Sequence, residues 1–178
     1  MDLKLHPLQA ALALVMLEDL RNEHWALLKA GQRGGKNIVA MAIAKQGAFK
    51  NIAVISGTAA QEESYINDLK GHLDPTVKFA SGGVPTNSWL GLECTLVILD
   101  EAMWVPRSYD TFNNIREHKT NVLVISSRGP EYDKDIRWQT TRGYSANAWD
   151  LNPTLSQAFL QQNFDVDTSK AIRDFCAY

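Results

Sequence analysis

Residues 26–44 read "ALLKAGQRGGKNIVAMAIA", and the fold turns on this stretch. An apolar run meets a glycine-rich turn, then a lysine, then residues with helical spacing. The order is strand, turn, helix. The usual phosphate-binding loop has the pattern G-x-x-x-x-G-K followed by Ser or Thr. Here Ala30 stands in the first glycine's place, Gly31 comes one position late, and Asn37 replaces the hydroxyl residue. Two readings follow: a nucleotide site in a variant spelling, or a surface turn with a helix-capping glycine.

The chemistry of the first reading is simple. A turn entering a helix points several backbone N–H groups at one spot, and the helix dipole adds positive potential there. Gly31, Gly34 and Gly35 permit close approach of the backbone to phosphate oxygens. Gln32 and Arg33 complete the loop, and Lys36 adds a point charge for the β and γ phosphates.

Outward from this loop, strands and helices alternate. Residues 25–29 read as a strand and 37–45 as a helix. "NIAVIS" (51–56), "TLVIL" (95–99) and "NVLVIS" (121–126) are continuous apolar, β-branched runs. Such runs mark strands buried on both faces. A short strand is expected at 78–80, and helices at 8–20, 58–72 and 110–118. Thr58 is placed to cap the second of these. "SGGVPTNSW" (81–89) and "SRGPEYDKD" (127–135) read as loops.

Beyond residue 130 the pattern changes. "SANAWDLNPTLSQAFLQQN" and "DTSKAIRDFCAY" read as a short extended piece and two helices. Pro153 and Thr154 are expected to open the first helix, and Asp167 or Thr168 to cap the second. Alternation of strands and helices predicts a three-layer α/β domain with a mainly parallel sheet. The chain of 178 residues suits one domain, with a core over about 1–130 and a C-terminal helical lid over about 131–178.

Composition narrows the function. A net charge of −2 argues against a general nucleic-acid coat, which would be basic. Cys94 and Cys176 make neither a metal spacing nor a disulfide framework. The run "LQAALALVML" is too short to span a bilayer, and no signal peptide is visible, so a cytosolic protein is expected. The four histidines lie far apart and form no ligand pattern; the tryptophans read as packing residues. Trp104 stands out because it follows Glu101 by three positions.

Three further segments carry chemistry. In "TLVILDEAMWVP", Asp100 and Glu101 are adjacent carboxylates at the end of a buried strand, a costly placement without a task. Asp100 suits Mg²⁺, and Glu101 suits activation of an attacking water. A charged turn is the plain alternative. In "NVLVISSRGP", Ser126 and Ser127 end a strand where small hydroxyls can sense a γ-phosphate, or simply form a turn before Gly129-Pro130. In "LHPLQ" (5–9), Gln9 offers an amide that both donates and accepts, and so can read an adenine edge.

In this order, the four segments resemble the ATPase domain of the large terminase subunit, the DNA-packaging motor of tailed bacteriophages. "LHPLQ" resembles the family's adenine motif and "GQRGGK" its arginine-rich phosphate loop. "VILDEAMWVP" resembles its Walker B segment, and "VISSR" its coupling motif. "ANAWDLNPTLSQAFL" and "IRDFCAY" resemble the close of its ATPase domain. The resemblance covers nearly the whole chain. It implies a P-loop NTPase fold, hydrolysis of ATP with Mg²⁺, and translocation of double-stranded DNA into a procapsid. It also implies a portal protein and a small terminase subunit as partners, a homo-oligomeric ring when assembled, and the host cytoplasm as location. A monomer in solution would fit the same reading.

By the same resemblance, Gln9, Gly31, Gln32, Arg33, Gly34, Gly35, Lys36 and Asn37 bind nucleotide. Asp100 and Asn37 attend Mg²⁺, Glu101 and Arg33 are catalytic, and Ser126 and Ser127 couple. Arg107, Arg116 and Arg128 are candidates to act on a neighbour's nucleotide, and Lys29 to reach phosphate. The sequence departs from the family in Asn37, in the serine spelling of the coupling motif, and in lacking the family's nuclease segment. Two rivals remain: a degenerate, non-hydrolysing module that docks DNA or portal, and a helicase core of the superfamily-2 kind.

Overall fold

The computed structural model describes residues 3–81 and 93–178. Trp89 and the loop expected over most of 81–89 lie outside them. Helix α1 (Pro7–Glu23) leads into β1 (Trp25–Ala30), followed by α2 (Lys36–Gln46), β2 (Asn51–Ile55), α3 (Ala59–Lys70) and β3 (Lys78–Ser81). After the undescribed stretch come β4 (Leu96–Asp100), a 3₁₀ turn (Ala102–Trp104), α4 (Ser108–Glu117) and β5 (Asn121–Ser126). The chain ends with α5 (Pro130–Lys134), α6 (Ile136–Thr140), β6 (Tyr144–Ala146), α7 (Ala148–Leu151), α8 (Gln157–Val166) and α9 (Thr168–Phe175).

The strands form one sheet in the order β3-β2-β4-β5-β1-β6, with every pair parallel. The apolar runs explain this. Every residue of β4 is buried, as is all but the first residue of β1, β2 and β5. A strand with two apolar faces must be covered on both. One face packs Leu28, Val54, Ile98 and Leu123 against α1, α2 and α3. The other packs Leu27, Val97, Leu99 and Val124 against Phe112, Ile115 and Trp138 of α4 and α6. Burial of each such aliphatic side chain stabilises the fold by roughly 1.5–3 kcal/mol.

Thr58 caps α3 as expected, its side chain accepting from the Gln61 N–H. Asp167 caps α9 in the same way, through the Lys170 N–H. The expectations near the C-terminal third need two corrections. The supposed loop 127–135 holds α5, opened by Pro130 at the first helical position. The helix expected from Pro153 begins later, because Ser156 caps it through the Phe159 N–H. The expected short extended piece is present as β6, which pairs with β1 through Leu28↔Tyr144 and Ala30↔Ala146.

The topology decides where chemistry can gather. β5 lies between β4 and β1, so the tips carrying Asp100, Ser126 and the glycine turn stand side by side. The register is level: Asp100 pairs with Ile125, and Leu28 with the same Ile125. Ligands in open parallel sheets bind beyond this carboxyl edge.

Candidate active site

The glycine turn runs from the end of β1 into α2. Gly35 has φ +78°, a conformation that a side chain resists, and it serves as the N-cap of α2. Among the described residues the amides of Gly35, Lys36 and Asn37 have no backbone acceptor, as expected for the first turn of a helix. They leave free donors at the N-terminal end of an 11-residue helix, where the helix dipole favours an anion. Gln9 lies directly behind this end. It is buried, its Oε1 accepts from the His6 N–H at 2.9 Å, and its Nε2 abuts Gly35.

Lys36 is buried, yet its ammonium reaches two acceptors. It lies 3.3 Å from the Gly31 carbonyl and 3.2 Å from Glu101 Oε1. Glu101 follows the last residue of β4 with φ 49° and ψ 41°, a left-handed conformation uncommon outside glycine. Local contacts hold it there. Its N–H donates to the Ile125 carbonyl at 2.8 Å. Its Oε2 accepts from both the N–H and the hydroxyl of Ser127, each at 2.7 Å. Thus three donors from two segments hold one carboxylate, which satisfies the charge that the sequence left unexplained.

Asp100 is different. It is buried, and its Oδ1 has no hydrogen-bond partner among the described residues. Burial raises its pKa to about 6, the neighbouring Glu101 adds to the rise, and Lys36 partly opposes it. A buried, unsatisfied carboxylate oxygen beside the glycine turn fits a hard divalent cation that takes oxygen ligands. No group of three or more His, Cys, Asp or Glu residues could hold a metal among the described residues. The arrangement therefore suits Mg²⁺ held by Asp100 together with phosphate and water, rather than an all-protein cage. Asn37 is exposed on the first turn of α2.

Ser126 is fully buried. Its hydroxyl accepts from the Met103 N–H at 3.0 Å and donates to the Ser127 carbonyl at 2.8 Å. Both serines are thereby joined to the 3₁₀ turn after Glu101.

The C-terminal segment crosses the glycine turn. The Gln32 N–H, expected to face phosphate, donates to the Asp174 carbonyl. A Cβ on Gly31 would collide with the carbonyl of Phe175, and one on Gly34 would press on Ala148. Asn152 Nδ2 donates to the Arg33 carbonyl at 2.8 Å. Arg33 itself is exposed at φ 60°, its guanidinium 5.0 Å from the Phe159 ring of α8. Tyr178 then donates its hydroxyl to the Ser126 carbonyl at 2.8 Å. Burial, with Glu101 nearby, raises the Tyr178 pKa far above the usual phenol value.

The remaining candidates are placed elsewhere. Lys29 is buried with Tyr132, its ammonium 3.4 Å from the Thr141 carbonyl, and burial lowers its pKa. Its parity along β1 matches Leu27, on the face opposite α2. Arg128 pairs with Asp133 at 2.6 Å, and Arg107 with Asp110 at 3.5 Å. Arg116 stacks on Trp25, 4.9 Å from the ring. The sequence reading missed Tyr178, Asn152 and Phe159. It noticed Trp104 only by its closeness to Glu101.

Solved structures share this architecture. The Thermus phage P74-26 large terminase ATPase domain superposes with a TM-score of 0.68 at 15% identity, over 97% of this chain and 92% of that one. An arginine-to-alanine mutant of the same domain gives 0.61 at 15% identity, over 97% and 93%. The fold is therefore the one seen in that ATPase domain, a parallel sheet covered by helices on both faces. No protein-family model matches the chain, and no curated protein does. No helix among the described residues is long and apolar enough to cross a membrane.

Proposed function

We propose that this chain is the ATPase of a viral DNA-packaging motor, hydrolysing ATP to drive double-stranded DNA into a procapsid. One observation carries the reading. Lys36 and Glu101, 3.2 Å apart, meet beside the unsatisfied oxygen of Asp100 at the carboxyl edge of a parallel sheet.

Each residue then has a task. The amides of Gly35, Lys36 and Asn37 cradle phosphate, with Gly31, Gln32 and Gly34 shaping the turn around it. Gln9, fixed behind Gly35, reads the base. Lys36 turns from Glu101 to the phosphates, which frees Glu101 Oε1 to accept a proton from the attacking water. Oε2 stays held by Ser127, so the carboxylate keeps its aim. Asp100, with Asn37 nearby, would hold Mg²⁺, which when bound would supply neutralisation of phosphate charge. Arg33 is the cis candidate for transition-state charge, and Arg107, Arg116 and Arg128 are candidates from a neighbour. Ser126 and Ser127 couple the site to the C-terminal segment through Tyr178. Double-stranded DNA, a portal protein and a small terminase subunit are the expected partners, within a homo-oligomeric ring in the host cytoplasm.

The Asp174 carbonyl on the Gln32 amide, together with the exposed Asn37, favours a second reading: a non-hydrolysing module docking DNA or portal. Calorimetric titration of a slowly hydrolysed ATP analogue separates the two. The motor reading expects binding that tightens with Mg²⁺ and weakens roughly 10- to 100-fold in Lys36→Ala. Binding indifferent to Mg²⁺ and to Lys36 would support the docking module instead.

A further inference from the structure

Trp104 closes the 3₁₀ turn that follows Glu101, and 43% of its surface remains exposed. Its ring lies over Gly129, where a Cβ would come within 2.8 Å of Trp104 Cγ and would also strike the Met103 carbonyl. Its indole N–H donates to the Ser127 hydroxyl oxygen at 3.0 Å. That same hydroxyl is 2.7 Å from Glu101 Oε2.

The donor inventory fixes the direction of this chain of bonds. An indole N–H can only donate, a carboxylate only accepts, and a serine hydroxyl has one proton. Ser127 must therefore accept from Trp104 and give its proton to Glu101. Without the indole, the buried hydroxyl could rotate away from the carboxylate.

We propose that Trp104 is a positioning residue for Glu101, its indole holding the Ser127 hydroxyl in the one rotamer that aims the carboxylate. The inference rests on the ATPase reading above for its catalytic meaning. Ser127 touches Glu101 directly, whereas Trp104 acts through Ser127. Gly129 supplies the slot that lets the ring reach that position.

Trp104→Phe removes the N–H and keeps a ring over Gly129. Steady-state ATP hydrolysis should show kcat reduced ~10-fold, with KM unchanged within about twofold. Ser127→Ala should lose at least as much, and the double variant should be no worse than Ser127→Ala alone. Losses that multiply in the double variant, or a change confined to KM, would overturn the proposal. A second readout needs no turnover. The Trp104 indole N–H resonance, assigned by its disappearance in Trp104→Phe, should move in Ser127→Ala, with hydrogen exchange at least ~10-fold faster. Ser127→Thr, which keeps the hydroxyl, should restore it. An indole resonance indifferent to Ser127→Ala would refute the positioning role even in an active enzyme. If the wild type hydrolyses no ATP, the ATPase reading fails, and the resonance alone decides whether Trp104 holds Ser127.

Discussion

Two regions meet at the glycine turn, and they are built on different principles. The sheet edge bearing Lys36, Asp100, Glu101 and Ser126 is anchored by strands with two apolar faces. The C-terminal helices α8 and α9 bury only Ala171 and Phe175 among their own residues. These two pack with Ala148 in a small separate cluster. Beside that cluster and the Tyr178 ring, polar bonds tie the segment to the turn: Gln32 to Asp174, Asn152 to Arg33 and Tyr178 to Ser126. Apolar burial scales with area, whereas a net hydrogen bond contributes about 1 kcal/mol. The comparison teaches that the edge is a fixed platform and the C-terminal segment the more easily displaced partner.

The sharpest way to break the comparison is at the platform's centre. Glu101→Gln should reduce turnover on the order of 10³-fold while nucleotide binding survives, as steady-state assays and calorimetry would show. Turnover that persists would remove Glu101 from its role and leave the platform merely structural.

Asp100 tests the platform's electrostatic strain. Its carboxyl is raised from 3.8 to about 6, so the folded state holds the proton more tightly than the unfolded chain. The resulting stability is full below about pH 4 and is lost as pH rises through about 6. Without nucleotide or Mg²⁺, Asp100→Asn should therefore be more stable than wild type at pH 8, by up to ~3 kcal/mol. Denaturant unfolding should show that advantage shrinking to nothing near pH 4. An advantage independent of pH would mean that burial of the charge is not the cause.

The overlying segment is tested at Gly31. Gly31→Ala sets a methyl against the Phe175 carbonyl, so either α9 shifts or the turn does. Overpacking of this kind costs roughly 1–3 kcal/mol. Hydrogen exchange should rise in residues 168–178 and stay unchanged in β4 and β5. A loss of protection spread evenly over the sheet would mean that the two regions are one cooperative unit.

The smallest effect belongs to Tyr178. Tyr178→Phe deletes one hydrogen bond to the Ser126 carbonyl and keeps the ring against Tyr132, 4.8 Å between centroids. A thermal shift equivalent to about 1 kcal/mol is expected. A much larger shift would show that the C-terminal residue is part of the platform.

These contrasts track what could be read from the residues. "NIAVIS", "TLVIL" and "NVLVIS" announced buried parallel strands because an apolar run of that length has no other economical use. Thr58 and Asp167 were legible as caps because capping depends on neighbours a few residues away. Asp100 and Glu101 drew attention because adjacent charges at the end of an apolar run are costly to place, and Lys36 because it follows a glycine turn; the structure puts Lys36 and Glu101 in contact. The true start of α8 was not legible, since the cap at Ser156 competes with the stronger signal of Pro153.

The sequence by itself determined the alternation of strand and helix, and the two charged segments at strand ends, because local pattern encodes both. Only the tertiary structure decided that β5 stands between β4 and β1, bringing Ser127 to Glu101 and Glu101 to Lys36. It alone seated Asp174 and Phe175 on the glycine turn and Trp104 on Ser127. These are pairings between residues far apart in the chain. They depend on strand order and register, which no local periodicity records.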